Sequence, residues 1–273
     1  MTARHLPAFG LFVVVCAAAC GDSTPSRPAP PAAPAGETAA VKAPPPPPPI
    51  RALMREHFAK ATEARAAFIA GDMETAVSAM DWLATNEVGQ ETVPAALRPN
   101  LAGVRAEAGR FALAATFSQA GDAFGAMLTR CGDCHSQAGM APSFTDVPEP
   151  VGTELKDRMR KHAWAAEQLW EGLVARDQGR YDRAAHALAD VVVQAAELPP
   201  NTNDPVRVQA VADNVRTAAA AGLAATDWPA RAQDYGKFLA TCATCHRMMA
   251  VGDKVRAGLQ DLPLGQPIPP PQP

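Results

Sequence analysis

The chain has 273 residues, with 25 Lys and Arg against 28 Asp and Glu and a formal net charge of −3. This balance leaves no basic excess, so nucleic acid is not an expected partner. Aromatic residues make up 5% of the chain and alanine is abundant, a composition that favours close-packed helices over sheets. The length suits one large domain or two ordinary ones.

Residues 1–19 have the pattern of a secretory signal. Arg4 supplies a positive charge, and residues 8–19 form an apolar run too short to span a membrane. The small residues before Cys20 resemble the lipobox of bacterial lipoproteins, in which the cysteine is acylated and becomes the new N-terminus. Ala17 replaces the leucine usual in that motif, and ordinary cleavage at an A-x-A-like site is the alternative. The resemblance implies an exported protein with a lipid anchor at Cys20.

Proline-rich segments flank the central part of the chain. Residues 20–49 include six consecutive prolines, and residues 259–273 are similar in composition. Such segments favour the polyproline II conformation and cannot bury a core. We therefore predict a disordered linker over 20–49 and a disordered tail over 259–273.

The central part is an internal duplication, predicted as one unit over 50–143 and a second over 154–258, with a linker at 144–153. Each copy shows the periodicity of four helices. The predicted helices are 51–70, 73–85, 99–115 and 117–135 in the first copy, and 153–176, 180–197, 204–226 and 229–249 in the second. Short loops between such helices predict an all-α fold of two tandem four-helix bundles. A helical-repeat scaffold that binds protein partners is the alternative architecture.

The two copies align with offsets that grow along the chain. The start of the first helix matches at an offset of 105, and the end of the fourth helix matches at 111. For the second helix we predict an offset of 108, which pairs Gly71 with Gly179 and Met80 with Leu188. The added residues are expected in connections, where insertions are tolerated.

Each copy ends in the string C-x-x-C-H, at residues 131–135 (the first string) and 242–246 (the second string). This spacing is the sequence signal for c-type haem. Two thiols on one helical face form thioethers to the haem, and the adjacent histidine binds its iron. A zinc site, a disulfide or a redox pair would leave that histidine unexplained. The strings predict two covalently attached haem c groups, held by Cys131, Cys134, His135, Cys242, Cys245 and His246.

A haem string at the C-terminal end of a four-helix unit resembles class II c-type cytochromes, the cytochrome c-prime group. The resemblance covers the topology of both copies and is specific in residues only at the strings. In the commoner class I domains the string lies near the N-terminus and a methionine ligand follows much later. Met140 lies only five residues after His135, too close to reach the opposite face of the haem.

The resemblance implies that each haem lies between the first and fourth helices of its own copy, with the distal residue on the first helix. Here that region carries one Met and one His in each copy: Met54 and His57, then Met159 and His162. We predict His57 and His162 as the distal iron ligands. Met54 and Met159, or an open distal face, are the alternatives. Two imidazoles suit electron transfer, whereas an open face admits NO or CO.

Arg55 and Arg160 also recur at equivalent positions. A guanidinium matches the planar carboxylate of a haem propionate, so we predict both as haem-binding residues. Solvated surface arginines are the alternative.

These features predict a di-haem cytochrome that transfers single electrons to and from redox partner proteins at the bacterial cell envelope. It would be periplasmic or anchored to a membrane by its lipid. An NO- or CO-binding sensor is the alternative function. Enzymatic activity is not expected, because no acid–base constellation accompanies the strings and the domain order differs from that of di-haem peroxidases.

Overall fold

A computed structural model describes residues 48–198, 202 and 204–260 of the chain. The predicted signal, the acylated Cys20 and most of the two proline-rich segments lie outside the described residues. The helices are α1 Pro48–Ile69, α2 Met73–Thr85, α3 Arg98–Ala112, α4 Phe117–Gln137, α5 Leu155–Ala175, α6 Gln178–Ala189, α7 Pro205–Ala224, α8 Trp228–Met249 and α9 Gly252–Gln260. Short 3-10 turns occur at Gln90–Thr92, Ala95–Leu97 and Ala195–Glu197. In this part of the chain no helix is both long enough and apolar enough to span a bilayer.

The all-α prediction is confirmed for the described residues, which contain helices and no strands. All eight predicted helices are present. The prediction for α6 extended to residue 197, but the helix ends at Ala189. After the capping residue Asp190 come three valines, whose β-branched side chains disfavour helix. Helix α9 was not predicted. It packs against α1 and α8, and its Arg256 pairs with Asp72 just before α2.

The predicted alignment of the second helices is wrong by three residues. Asp72 caps α2 and Asp177 caps α6, each accepting a hydrogen bond from the backbone N–H three residues later. The offset of 105 therefore continues through α6, and the extra residues all lie in the loop before α7. Leu188 corresponds to Leu83, not to Met80, and both leucines are fully buried.

The alignment was wrong because it matched Gly71 with another glycine, Gly179. Gly71 has the left-handed conformation after α1, with φ of 79°, and the sequence suggested Gly179 as its counterpart. The equivalent position after α5 is occupied by Arg176, which has φ of 57°. A residue with a Cβ rarely adopts this conformation, so neighbouring contacts must hold Arg176 in place.

The two copies meet at α4 and α8, which form the most extensive interface between helices. Gly121 approaches the backbone of Gly236, and Gly125 approaches that of Ala232. Residue numbers along this contact increase on α4 while they decrease on α8, so the two helices are antiparallel. The two contacts are related by the offset of 111, which gives the pair approximate two-fold symmetry.

The first helix of each copy reaches across to the other copy. Helix α1 packs on α8, and α5 packs on both α4 and α8. Buried side chains of both copies form one continuous hydrophobic core, in which the rings of Phe124 and Trp170 lie 5.8 Å apart. The prediction of two tandem bundles is therefore not confirmed, because their helices share one core.

Candidate haem sites

The two strings lie at opposite ends of the central helix pair. Each occupies the last turns of its helix, the first string in α4 and the second in α8. Since these helices run antiparallel, the strings are separated by roughly 30 Å along the helix axes, at a rise of ~1.5 Å per residue. One zinc ion bound by all four cysteines would need the two strings to meet. This arrangement instead gives two separate sites.

The histidine of each string is held by a backbone carbonyl of the other copy. His135 Nδ1 lies 3.2 Å from the carbonyl oxygen of Val174 at the end of α5. His246 Nδ1 lies 2.6 Å from the carbonyl oxygen of Ile69 at the end of α1. A carbonyl only accepts, so Nδ1–H donates and Nε2 keeps its lone pair. This is how proteins orient a histidine that ligates a metal through Nε2.

The two predicted distal histidines share an unusual feature. The Nε2 atoms of His57 and His162 are buried and have no hydrogen-bond partner. Burial lowers the pKa of His57, and burial followed by repulsion from His246 lowers the pKa of His162 to about 4. Both rings are therefore neutral at neutral pH, the form that binds a metal. A buried unsatisfied nitrogen costs about 1–3 kcal/mol, and an iron bond at Nε2 would satisfy it.

The packing brings the start of α1, the helix that carries His57, to the same end of the first copy as the first string. Leu53, one turn before His57, packs in an apolar cluster with Leu101 of α3. One residue earlier, the Asn100 side chain donates a 2.9 Å hydrogen bond to Gln137 at the end of α4. Helix α3 thus links the start of α1 to the end of α4. In the second copy, the charge of His246 is the second cause, after burial, of the lowered pKa of His162.

The thiols of both strings are poor nucleophiles in the folded chain. Burial, with a smaller effect from Cys134, raises the pKa of Cys131 to about 12. Burial also raises the pKa of Cys134, Cys242 and Cys245. Because the thiolate is the reactive form, burial disfavours covalent chemistry at these thiols.

The remaining predicted residues lie nearer the surface. Met54 is half-buried against the small apolar cluster at the start of α1, and Met159 is half-buried as well. Arg55 and Arg160 are exposed, and Arg160 forms an exposed pair with Asp157 at 3.6 Å. A role for either arginine at a propionate stays a prediction.

Two arginines beside the strings were missed by sequence reasoning. Arg176 pairs with Asp133 of the first string, and its guanidinium lies 5.2 Å from the centre of the Trp228 ring. Arg247, directly after the second string, lies 5.9 Å from the centre of the Phe117 ring. Phe117 and Trp228 are equivalent in the repeat, but the arginines are not. Comparison of the two copies therefore could not identify Arg176 and Arg247 as residues beside the strings.

Substituting Gly132 with alanine is expected to lower the free energy of unfolding by about 1–3 kcal/mol. The new Cβ would lie 2.6 Å from the carbonyl oxygen of Leu173 and 2.6 Å from Nε of Arg176. Ala243 occupies the equivalent position in the second string, where it packs against Gly71 instead. The double variant Gly132→Ala, Arg176→Gly removes the clash with the Arg176 side chain but keeps the contact with the Leu173 carbonyl, so we expect it to recover part of the loss.

Urea denaturation followed by far-UV circular dichroism measures these changes. Gly258→Ala in α9 is the matched control, because its Cβ would meet no atom within 4 Å. In that open position alanine is expected to be neutral or to stabilise the helix by up to about 1 kcal/mol. Equal effects of Gly132→Ala and Gly258→Ala would contradict the proposed clash.

The chain matches no protein-family model, no curated protein and no solved structure. The candidate sites are therefore defined by their own residues. Each copy carries a C-x-x-C-H string whose histidine is held by a carbonyl, and a second histidine whose buried Nε2 has no hydrogen-bond partner. This set of donors fits a covalently attached haem at each string.

Proposed function

We propose that this chain is a di-haem c-type cytochrome, similar to class II cytochromes, which transfers single electrons between redox partner proteins of the bacterial cell envelope. The duplicated donor set carries the proposal: string histidines with Nε2 available, and equivalent histidines on α1 and α5 whose buried Nε2 atoms lack partners. Haem c supplies the one-electron redox chemistry when it is bound.

The residues of the chain have distinct roles in this proposal. The four string cysteines fix the cofactor covalently. His135 and His246 bind the iron, and the carbonyls of Val174 and Ile69 fix the orientation and tautomer of these rings. His57, and its equivalent on α5, would occupy the sixth position. A site closed in this way excludes small ligands and suits electron transfer more than gas binding.

The location of the protein is part of the proposal. Export agrees with haem c, which is attached outside the bacterial cytoplasmic membrane, and acylation of Cys20 would tether the protein through its proline-rich linker. Mass spectrometry of the mature protein tests both features. We expect a mass that includes two haems and an acylated Cys20 at the N-terminus. An unmodified N-terminus would remove the lipid anchor and leave the haem proposal intact.

Replacing His57 or His162 with alanine is expected to open one of the two sites. The purified protein should contain two haems per chain, both low-spin and unreactive to CO. Each single variant should convert about half of the low-spin signal to high-spin and bind about one CO per chain, because one iron loses its sixth ligand. Optical and EPR spectra measure this change. His186→Ala is the matched control, because His186 is exposed on α6.

Three outcomes would count against this assignment. A protein without two haems would sink the cytochrome proposal itself. A high-spin wild type that binds CO or NO would favour the alternative of a gas-binding sensor. Low-spin spectra unchanged in both histidine variants would point to Met54 and Met159 as the sixth ligands.

A further inference from the structure

A buried polar cluster crosses the core between the two candidate sites. We call it the Glu171 cluster, and it consists of Arg65 of α1, Glu167, Gln168 and Glu171 of α5, and Arg180 of α6. Each of these residues is at most 8% exposed. Arg65 pairs with Glu167, and Arg180 pairs with Glu171. Ionisable groups are rarely buried this deeply, and their cost has to be offset by pairing or by function.

The two oxygens of Glu171 have different surroundings. Oε2 accepts hydrogen bonds from Arg180 Nη1 and, at 3.0 Å, from the Gln168 side-chain amide. Oε1 is buried and has no hydrogen-bond partner. A proton can therefore bind Oε1 without breaking either hydrogen bond at Oε2. Unpartnered donors lie in the same cluster, at Nε and Nη1 of Arg65.

Charged groups on α1, α5 and α6 face Glu171. Arg65 faces it from α1, Glu167 from its own helix and Arg180 from α6, while Tyr235 of α8 adjoins Arg65 and Glu167. The cluster contains two arginines and the carboxylate of Glu167. Its net charge is therefore zero when Glu171 is ionised and +1 when Glu171 is protonated. Burial, and then the charge of Glu167, raise the pKa of Glu171 to about 7 in spite of both arginines.

On its outer side, Arg180 also lies 4.0 Å from Asp146 and 3.9 Å from Asp177. These carboxylates share the guanidinium with Glu171. Arg180 therefore does not serve Glu171 alone, and protonation of Glu171 leaves this arginine with two other acidic neighbours.

The position of the cluster links it to both strings. On α1, Arg65 lies between His57 and Ile69, whose carbonyl holds the second string. On α5, Glu171 lies between His162 and Val174, whose carbonyl holds the first string. Each of these helices therefore contacts one site at its start and the other at its end, with the Glu171 cluster between them.

We propose that Glu171 is a redox-linked proton site that binds a proton when the protein is reduced. This inference rests on the proposed haem function. One electron enters from an external one-electron donor, and one proton from solvent binds Oε1 of Glu171. The electron adds a negative charge to the interior and the proton cancels it. On oxidation by the acceptor protein, the electron and the proton both leave. Compensation of charge matters here because buried charges interact strongly in a low dielectric.

The sign of the effect follows from linkage. Reduction disfavours the ionised form of Glu171, so the reduced protein has the higher proton affinity. The midpoint potential is then independent of pH below the pKa of Glu171 in the oxidised protein and above its pKa in the reduced protein. Between these two pKa values the potential falls as pH rises. A tenfold difference in affinity corresponds to a total fall of about 59 mV for a one-electron couple.

Spectroelectrochemical titration of the full-length holoprotein between about pH 5.5 and 9 tests this inference, since that range brackets the shifted titration. Wild type should show a falling potential, and Glu171→Gln, which keeps the shape of the protonated side chain, should lose most of that fall. Glu63→Gln is the matched control, because it removes the same charge from an exposed position on α1. A pH-independent wild type, or a fall retained in Glu171→Gln, would overturn the inference.

A second measurement covers the case in which Glu171→Gln does not fold. The reduced-minus-oxidised infrared spectrum of wild type at neutral pH should gain a protonated carboxyl band, and a pH indicator should report proton uptake on reduction. Absence of both signals overturns the inference. Haem content is measured first: a protein without haem refutes the proposed function, whereas a haem-loaded protein with pH-independent potentials refutes only the role of Glu171.

Discussion

Gly236→Ala is expected to lower the free energy of unfolding by about 2–3 kcal/mol. A Cβ at this position would collide with the carbonyl oxygen of Gly121 and lie 2.7 Å from its carbonyl carbon. Both atoms belong to the backbone, so no side-chain rotation relieves the overlap and α4 and α8 must move apart. That movement loosens the most extensive helix interface in the described part of the protein.

The matched control is Gly109→Ala in α3. Its Cβ would meet only the Ala84 methyl group, at 3.8 Å, which is an ordinary contact. Alanine is the better helix former by about 1 kcal/mol, so this variant should stabilise the protein. In urea denaturation, the same glycine-to-alanine substitution is therefore expected to lower the free energy of unfolding at Gly236 and to raise it at Gly109. Stabilisation by Gly236→Ala would contradict the close backbone contact of α4 and α8.

Glu167→Leu is expected to cost about 3–5 kcal/mol, because it leaves the guanidinium of Arg65 buried without its charge partner. The two side chains are 5% and 4% exposed. Burial by itself lowers the pKa of Arg65, but Glu167 and Tyr235 reverse this effect and the net shift is upward. Arginine is not deprotonated in proteins, so Arg65 cannot avoid the cost by losing its proton when Glu167 is removed.

The double variant Arg65→Met, Glu167→Leu should recover most of this loss, since it replaces the buried pair with apolar side chains of similar size. Denaturation of wild type, both single variants and the double variant completes a double-mutant cycle. The exposed pair Lys60–Glu63 on the same helix provides the control, and its removal should cost less than about 1 kcal/mol. A small, additive effect of the two core substitutions would show that the ion pair is not coupled.

Local sequence signals predicted most of the helices because their causes are local. Gly71 and Asp72 end α1 and cap α2, and α2 has the predicted bounds. The end of α6 was missed because apolar valines continue the pattern of burial while disfavouring helix. The alignment error arose in the same way: a glycine identity outweighed the cap at Asp177, although the cap is what fixes the start of a helix.

The candidate sites were predicted in part. The C-x-x-C-H spacing predicts haem attachment directly from the sequence. The recurrence of His57 and His162 at equivalent positions is what singled them out from other helix histidines as predicted ligands. The prediction that each haem lies between two helices of its own copy did not include the carbonyls of Ile69 and Val174. Those contacts join residues separated by 177 and 39 positions and use backbone atoms. No side-chain pattern marks a backbone acceptor, so only the three-dimensional packing shows it.

The exchange of carbonyls between the copies has a consequence for how such a protein arises. In a two-fold homodimer, a residue i of one subunit that contacts residue j of the other implies that residue j of the first subunit contacts residue i of the second. Gly121 with Gly236, and Gly125 with Ala232, obey this rule, as do the carbonyls that hold His135 and His246. The chain thus has the contact symmetry of a dimer fused into one polypeptide. A gene encoding only one copy would yield a protein that must pair with itself before either histidine gains its carbonyl.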